Sequence, residues 1–175
     1  MRLAVTDRRA DTPEYEAKCL RCGICCRGGV SLPDGRQVVA RGLACCYFGT
    51  RESDGHSECR VYEDRFEKAS WCLHSSEAVK SGGLSHSCPY RTKNDPRGKE
   101  ILSDDEYEKA WPLISAVILA CPNLEPGLDW SAFCQEANKT DLGGVWKAKF
   151  DAGRTKVTVT REPSFMAKLW KRGEI

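Results

Sequence analysis

The sequence predicts an α+β protein in two dissimilar parts: a small, irregular, cysteine-rich module over residues 13–95, and a helical plus β-hairpin extension over 96–175. Three observations carry this. Nine of the eleven cysteines lie between residues 19 and 88, the second half has capped amphipathic helical patterns, and near the end two alternating stretches flank a turn. A chain of 175 residues with 41% hydrophobic and 30% charged residues has enough apolar material for one ordinary domain. The disordered, collagenous and coiled-coil classes are excluded on the same grounds.

Residues 1–12 are polar and without period, and read as a loose arm. From Pro13, the segment PEYEAKCLRCGICCR suits a helical turn running into a knuckle, with Gly23 supplying the freedom of a tight loop. GGVSLPDGRQVVARG reads as a small hairpin or bent loop, and residues 49–60 and 80–98 read as loops. A module of this kind buries little by itself and is expected to need a metal or a bridge to fold. Beyond residue 98, Ser103 and Glu106 have the spacing of a capping box at the head of a helix, in which Pro112 predicts a kink or a restart. A second helix is expected from Asp129, with Leu128, Ala132, Phe133 and Ala137 on one face. VWKAKF and KVTVTRE alternate about DAGRT, the pattern of a hairpin with one wet face, and PSFMAKLWKRG reads as a short terminal helix.

Charge points to no partner, since 27 Lys and Arg balance 25 Asp and Glu. The longest apolar run, Leu113–Cys121, is nine residues, well short of a membrane span, so no membrane partner is expected. The N-terminal MRLAVTDRRADTPEYE is charged and has no apolar h-region, which predicts a cytoplasmic protein with reduced thiols. In that compartment a crowd of thiols binds metal more often than it forms bridges, and an odd total leaves one cysteine over in any full disulfide scheme. Cys19-x-x-Cys22-x-x-Cys25-Cys26 brings four sulfurs within eight residues, and two-residue gaps turn successive thiolates toward one point. A thioredoxin-like pair would have only two cysteines and a βαβ setting.

These residues resemble the YkgJ-like CxxCxxCC family, including its YcgN-type branch, described as zinc- or iron-chelating. Cys19–Arg27 is similar to the family's opening CxxCGxCC motif, and Ala44-Cys45-Cys46-Tyr47-Phe48 to the cysteine-plus-apolar motif that follows. Cys59-Arg60-Val61-Tyr62-Glu63-Asp64-Arg65 resembles its C-x-[IV]-Y-x-x-R segment, with Cys72 next, and Ser87-Cys88-Pro89-Tyr90-Arg91 its cysteine-x-Tyr-Arg segment. The resemblance covers roughly residues 13–92; after Arg65 the family often has Pro where this chain has Phe66. Of the 45/46 doublet, Cys45 is favoured as ligand because it leaves Tyr47 and Phe48 at the motif's apolar places.

The expected metal ligands are therefore Cys19, Cys22, Cys25, Cys26, Cys45, Cys59, Cys72 and Cys88, holding zinc or an iron–sulfur cluster. They make either two four-sulfur sites or one iron–sulfur cluster beside a zinc. Cys88-Pro89 echoes the ferredoxin arrangement, although a second Cys-Pro pair occurs at 121–122. His56, His74 and His86 each lie two or three residues from a cysteine, where a surface loop histidine is the usual role and ligation the alternative. Cys121 and Cys134 are expected as buried, inert helix thiols. Arg27, Arg60, Arg65 and Arg91 are candidates to offset thiolate charge.

No nucleophile with a base, phosphate loop or paired acid system is present. Asp104, Asp105, Glu106 and Glu108 complement a helix dipole, and Gly28-Gly29 and Gly143-Gly144 are lone doublets. The expected function is metal binding, with two alternatives. One is an iron–sulfur redox or electron-transfer component. The other is a zinc-stabilised module that binds protein or nucleic acid through its C-terminal region, where the last 30 residues hold eight Lys or Arg, three acids and interleaved aromatics.

Overall fold

The computed structural model describes residues 14, 17–91 and 98–172; the expected arm at 1–12, the helix start at Pro13 and the 95/96 boundary lie outside them. Its centre is strand β2 (Gln37–Ala44), which pairs antiparallel with β1 (Arg27–Ser31) and parallel with the short β5 (Lys99–Glu100). The β1–β2 turn is closed by Leu32 donating its N–H to the Arg36 carbonyl, so the expected hairpin is present. Strand β2 is longer than its apolar pair suggested because both its faces are covered: Val38, Val39, Ala40 and Leu43 are all buried. Two three-residue strands, β3 (Phe48–Thr50) and β4 (Ser57–Cys59), form a separate ladder inside the segment expected to be loop. Helices α1 (Arg65–Lys68) and α2 (Ser75–Lys80) complete the first half.

Helix α3 (Asp104–Ala120) begins as its sequence required. The Ser103 hydroxyl accepts from the Glu106 N–H, and the Glu106 carboxylate accepts from the Ser103 N–H. The helix then runs unbroken through Pro112, so there is no restart. It stops at Cys121, the residue before Pro122, whose ring disfavours helical backbone in its predecessor. Cys121 is thereby exposed rather than buried, whereas Cys134 is buried as expected.

Helix α4 (Trp130–Thr140) is capped by Asp129, which accepts from the Ala132 N–H, and it packs on β2 and β6 (Gly144–Phe150). The approach to β2 is close enough that a Cβ at Gly42 would meet the Ala132 carbonyl oxygen at 2.5 Å; φ there is also +75°. Strands β6 and β7 (Val157–Pro163) form the expected hairpin, and α5 (Phe165–Arg172) closes the described chain.

A single apolar core joins both halves. Val30, Leu32, Val38, Ala40 and Leu43 from the β1–β2 hairpin meet Tyr107, Trp111 and Ile114 of α3, Trp130 and Phe133 of α4, and Trp146, Val157 and Val159 of the second hairpin. Trp111, Phe133 and Trp146 contact one another with ring centroids 5.3–6.3 Å apart. The first half thus contributes more apolar surface than its composition suggested, all of it through the β1–β2 hairpin.

Trp146 is fixed at its polar end by Asp141, which accepts from the indole Nε1–H at 2.7 Å and from Arg161 Nε at 2.6 Å. Arg161 foremost, then the indole, hold the Asp141 carboxyl below the usual carboxylate range. A carboxyl lowered by folding stabilises the native state above its unfolded value of about 3.9, and that contribution is lost as pH falls through the folded value. Asp141→Asn is expected to cost about 1–3 kcal/mol at neutral pH. Urea denaturation at descending pH should show the gap between variant and parent closing below about pH 4.

Candidate metal centre

The cysteines gather at the edge of the sheet where β1 begins and β2 ends. The opening knuckle is shaped by backbone: Arg21 has φ +51° and Gly23 φ +71°, and residues 24–26 form one turn of 3-10 helix. A Cβ at Gly23 would run into the Ser57 hydroxyl and the Phe48 ring, so the knuckle lies directly on the β3–β4 ladder. The Arg21 N–H points back at Cys19 Sγ, 3.4 Å away.

Cys26 ends the knuckle, and its carbonyl accepts from the Cys45 N–H at 2.8 Å. The doublet leaves the strand at Cys45, Cys46 already lying in the turn with its thiol against that of Cys45. Cys45 is among the neighbours acting on Cys26, whereas Cys46 lines a cleft of about 290 Å³ with Trp71, Gly127, Phe150 and Arg154. Cys59 ends β4 opposite Phe48, and the next residue ties back through its N–H to the Tyr47 carbonyl. Cys72 follows Trp71, whose ring stacks parallel to Tyr47. Cys88 lies three residues past Ser85, which bridges to Lys99, and the Tyr90 N–H bonds to the Cys88 sulfur.

Lys99, on β5, is a functional candidate that sequence reasoning missed. Its ammonium is half-buried and donates to the carbonyls of Ile24, Cys25 and Arg27, closing the knuckle from beneath. Burial lowers its pKa, and Cys25 and Cys26 work against that. Nothing in the local sequence marks Lys99, because its contacts are 72–75 residues away along the chain.

The electrostatics divide the sulfurs by neighbourhood. Cys25 and Cys26 lie 3.9 Å apart, close enough to share a proton. The bond from Cys26, helped by Lys99, lowers the Cys25 thiol to about 6 against the cost of burial. That same bond, then burial and the sulfurs of Cys25, Cys45 and Cys59, push Cys26 far up. Burial raises Cys72 to about 11, with Arg65 opposing and Cys59, Cys25 and Cys45 adding. Burial also raises Cys88, where Tyr90 opposes and Cys22, Cys25 and Cys19 add. All eight expected sulfurs are thus linked through neighbours, and all eleven cysteines are free thiols. Among the described residues, no three His, Cys, Asp or Glu side chains converge tightly enough to coordinate one ion as they stand. The donor chemistry, soft thiolates with amide N–H groups and a lysine turned toward them, fits zinc or iron–sulfur.

The other candidates are scattered. His56 is exposed, while His86 is exposed and contacts Arg91 and Glu100. His74 is 4% exposed and stacks on Phe66 at 3.9 Å, neither ring nitrogen having a hydrogen-bond partner, so it is not the surface histidine expected. Phe66 is therefore the platform for this ring. Arg65 lies over Tyr62 and Phe66 within reach of Cys72, and Arg27 lies over Phe48. Arg91 bonds to the Ser85 carbonyl, and the Arg60 side chain lies against Gly49.

Comparison with models of known families, with curated proteins and with solved structures returned no match to this chain. The cysteine edge therefore stands on its own geometry and on the motif residues. In reduced, metal-free protein, iodoacetamide alkylation of Cys25 is expected to be half-maximal near pH 6, following its thiol value of about 6. Lys99→Met should move that midpoint upward, read by peptide mapping across a pH series. An unmoved midpoint would remove Lys99 from the site.

Proposed function

We propose that this chain is a metal-binding protein of the CxxCxxCC kind, holding zinc or an iron–sulfur cluster through Cys19, Cys22, Cys25, Cys26, Cys45, Cys59, Cys72 and Cys88. The observation that carries the reading is the proximity of these sulfurs, drawn from well-separated segments, with peptide N–H groups aimed at Cys19 and Cys88 and a half-buried lysine beneath Cys25. The motif resemblance to the YkgJ-like family supports it independently of the geometry. Zinc bound there would be closed and redox-silent and would order the loops, whereas an iron–sulfur cluster would supply one-electron transfer. The chain's own residues hold the thiols near one another, direct N–H groups at sulfur, and supply positive charge from Lys99 and Arg65. The apolar core lies under the β1–β2 hairpin and contains no residue of the 45–91 segment. Metal accordingly acts on the cysteine loops more than on the core.

A second reading, an interaction module, is favoured by one feature. Phe165 and Trp170 on α5 are 72% and 74% exposed beside Lys168 and Lys171. Binding of nucleic acid through this face would weaken steeply with salt. No helix among the described residues is long and apolar enough to cross a membrane.

Anaerobic purification followed by a visible spectrum and elemental analysis for iron, zinc and sulfide tests the first reading. Bound metal together with thiols protected from alkylation is the expected result. Metal-free protein with every thiol reactive would overturn it. Chelation is expected to open residues 46–91 to protease while leaving most of the helical signal of α3 and α4, and Cys22→Ser should behave in the same way. Loss of the whole helical signal on chelation would mean that the metal anchors the core as well.

A further inference from the structure

We propose that the eight sulfurs form two abutting four-thiolate sites, Cys19, Cys22, Cys25 and Cys88 in one, and Cys26, Cys45, Cys59 and Cys72 in the other, meeting at the Cys25–Cys26 step. This rests on the metal-binding reading and goes beyond it by fixing which sulfurs belong together and how many ions the chain takes.

The first set is assembled by the knuckle and by Lys99. Cys19, Cys22 and Cys25 follow one another on the turn shaped by Arg21 and Gly23. Cys88 reaches them through β5: the Ser85 bridge to Lys99 fixes the chain three residues before Cys88, and Lys99 bonds to the Ile24 and Cys25 carbonyls. The sulfurs acting on Cys88 are those of Cys22, Cys25 and Cys19, which are the remaining members of its set.

Sheet backbone assembles the second set. Cys26 and Cys45 are joined by the hydrogen bond between their main chains. Cys45 leads through a tight turn, its carbonyl accepting from the Phe48 N–H, into β3, whose partner β4 ends in Cys59. Trp71 stacked on Tyr47 brings Cys72 to the same place. Cys26 has Cys25, Cys45 and Cys59 as neighbours, and Cys72 has Cys59, Cys25 and Cys45.

The 3.9 Å between Cys25 and Cys26 does not by itself divide them, because sulfurs bound to one tetrahedral zinc at about 2.3 Å lie about 3.8 Å apart. The division comes from what else each one faces. Cys26 is tied to β1 and Cys45, on the sheet side. Cys25, whose carbonyl accepts from Lys99, lies on the side that Cys88 approaches. Cys25 is also a neighbour of Cys72, as the residue at the junction of two touching sites would be. Cys46 touches the Cys45 sulfur but also lines the cleft with Trp71, Phe150 and Arg154, and it is left out of both sets.

The test uses the full chain, reduced and freed of metal, with zinc as the probe. Zinc added in steps, followed by alkylation and peptide mapping at each step, should protect the sulfurs in two blocks of four with the stated membership, reaching two zinc ions per chain. Cys88→Ser and Cys72→Ser should each bind one zinc and leave the other block protected. The parent-chain map needs no variant, so a misfolded variant leaves the proposal testable. One zinc per chain, a block pairing Cys88 with Cys45 or Cys59, or loss of both ions in one correctly folded variant would overturn the two-site arrangement while leaving metal binding intact. No protection at any zinc concentration would overturn the metal-binding reading itself.

Discussion

Strand β2 carries both jobs of the molecule. Its middle is buried on both faces, with Val38 and Ala40 wholly enclosed, and its far end runs straight into Cys45 and Cys46. Because α4 lies against it closely enough to require glycine at 42, the strand cannot slide relative to the helix without a steric clash. Its extension is held as well, since Asp129 donates to the Ala44 carbonyl and Cys46 to the Gly127 carbonyl. The cysteine loops therefore hang from a support whose position is set by apolar packing elsewhere, and a site built this way keeps its backbone placement whether its sulfurs carry protons or metal.

The same layout explains which features were legible in the sequence. Helices α3 and α4 announce themselves through Ser103 and Glu106 or through Asp129, and the β6–β7 hairpin through strict alternation, because those signals are local. Strand β2 was visible only as two valines; its length comes from neighbours distant in sequence. The β3–β4 ladder hides in GTRESDGHSECR, a run so polar and so short that neither strand has a periodic face, and it forms because Gly23 and the knuckle press against it. Pro112 misleads for a related reason: α3 is held along its length by Tyr107, Ala110, Trp111, Ile114 and Ile118 in the core, so losing one backbone donor does not divide it.

For the candidate site, spacing picks out the knuckle cysteines, but nothing in spacing says that Cys88 has Cys22, Cys25 and Cys19 as neighbours while Cys72 has Cys59, Cys25 and Cys45. Those pairings depend on β5, on the Trp71–Tyr47 stack and on the β3–β4 register, each a contact between remote segments. His74 was legible as a residue near a cysteine, yet its burial comes from stacking on Phe66 of α1, a contact that spacing does not show.

Lys99 gives the strongest physical argument about what the cysteines do. A half-buried ammonium still carries a desolvation cost unless it is paired, and among the described residues no carboxylate lies within ion-pair distance of Lys99. Its hydrogen-bond partners are three neutral carbonyls, which satisfy its donors but not its charge. The anionic groups available to it are the sulfurs of Cys25 and Cys26. If every cysteine on this edge were a neutral thiol, the fold would partly desolvate an unmatched cation beneath a tight turn. A thiolate at Cys25 removes that penalty, and a four-thiolate site, which keeps a net negative charge around a divalent ion, removes it more fully. The lysine and the cysteine knuckle thus account for each other: the cation makes the thiolates cheaper to form, and the thiolates make the cation tolerable to bury.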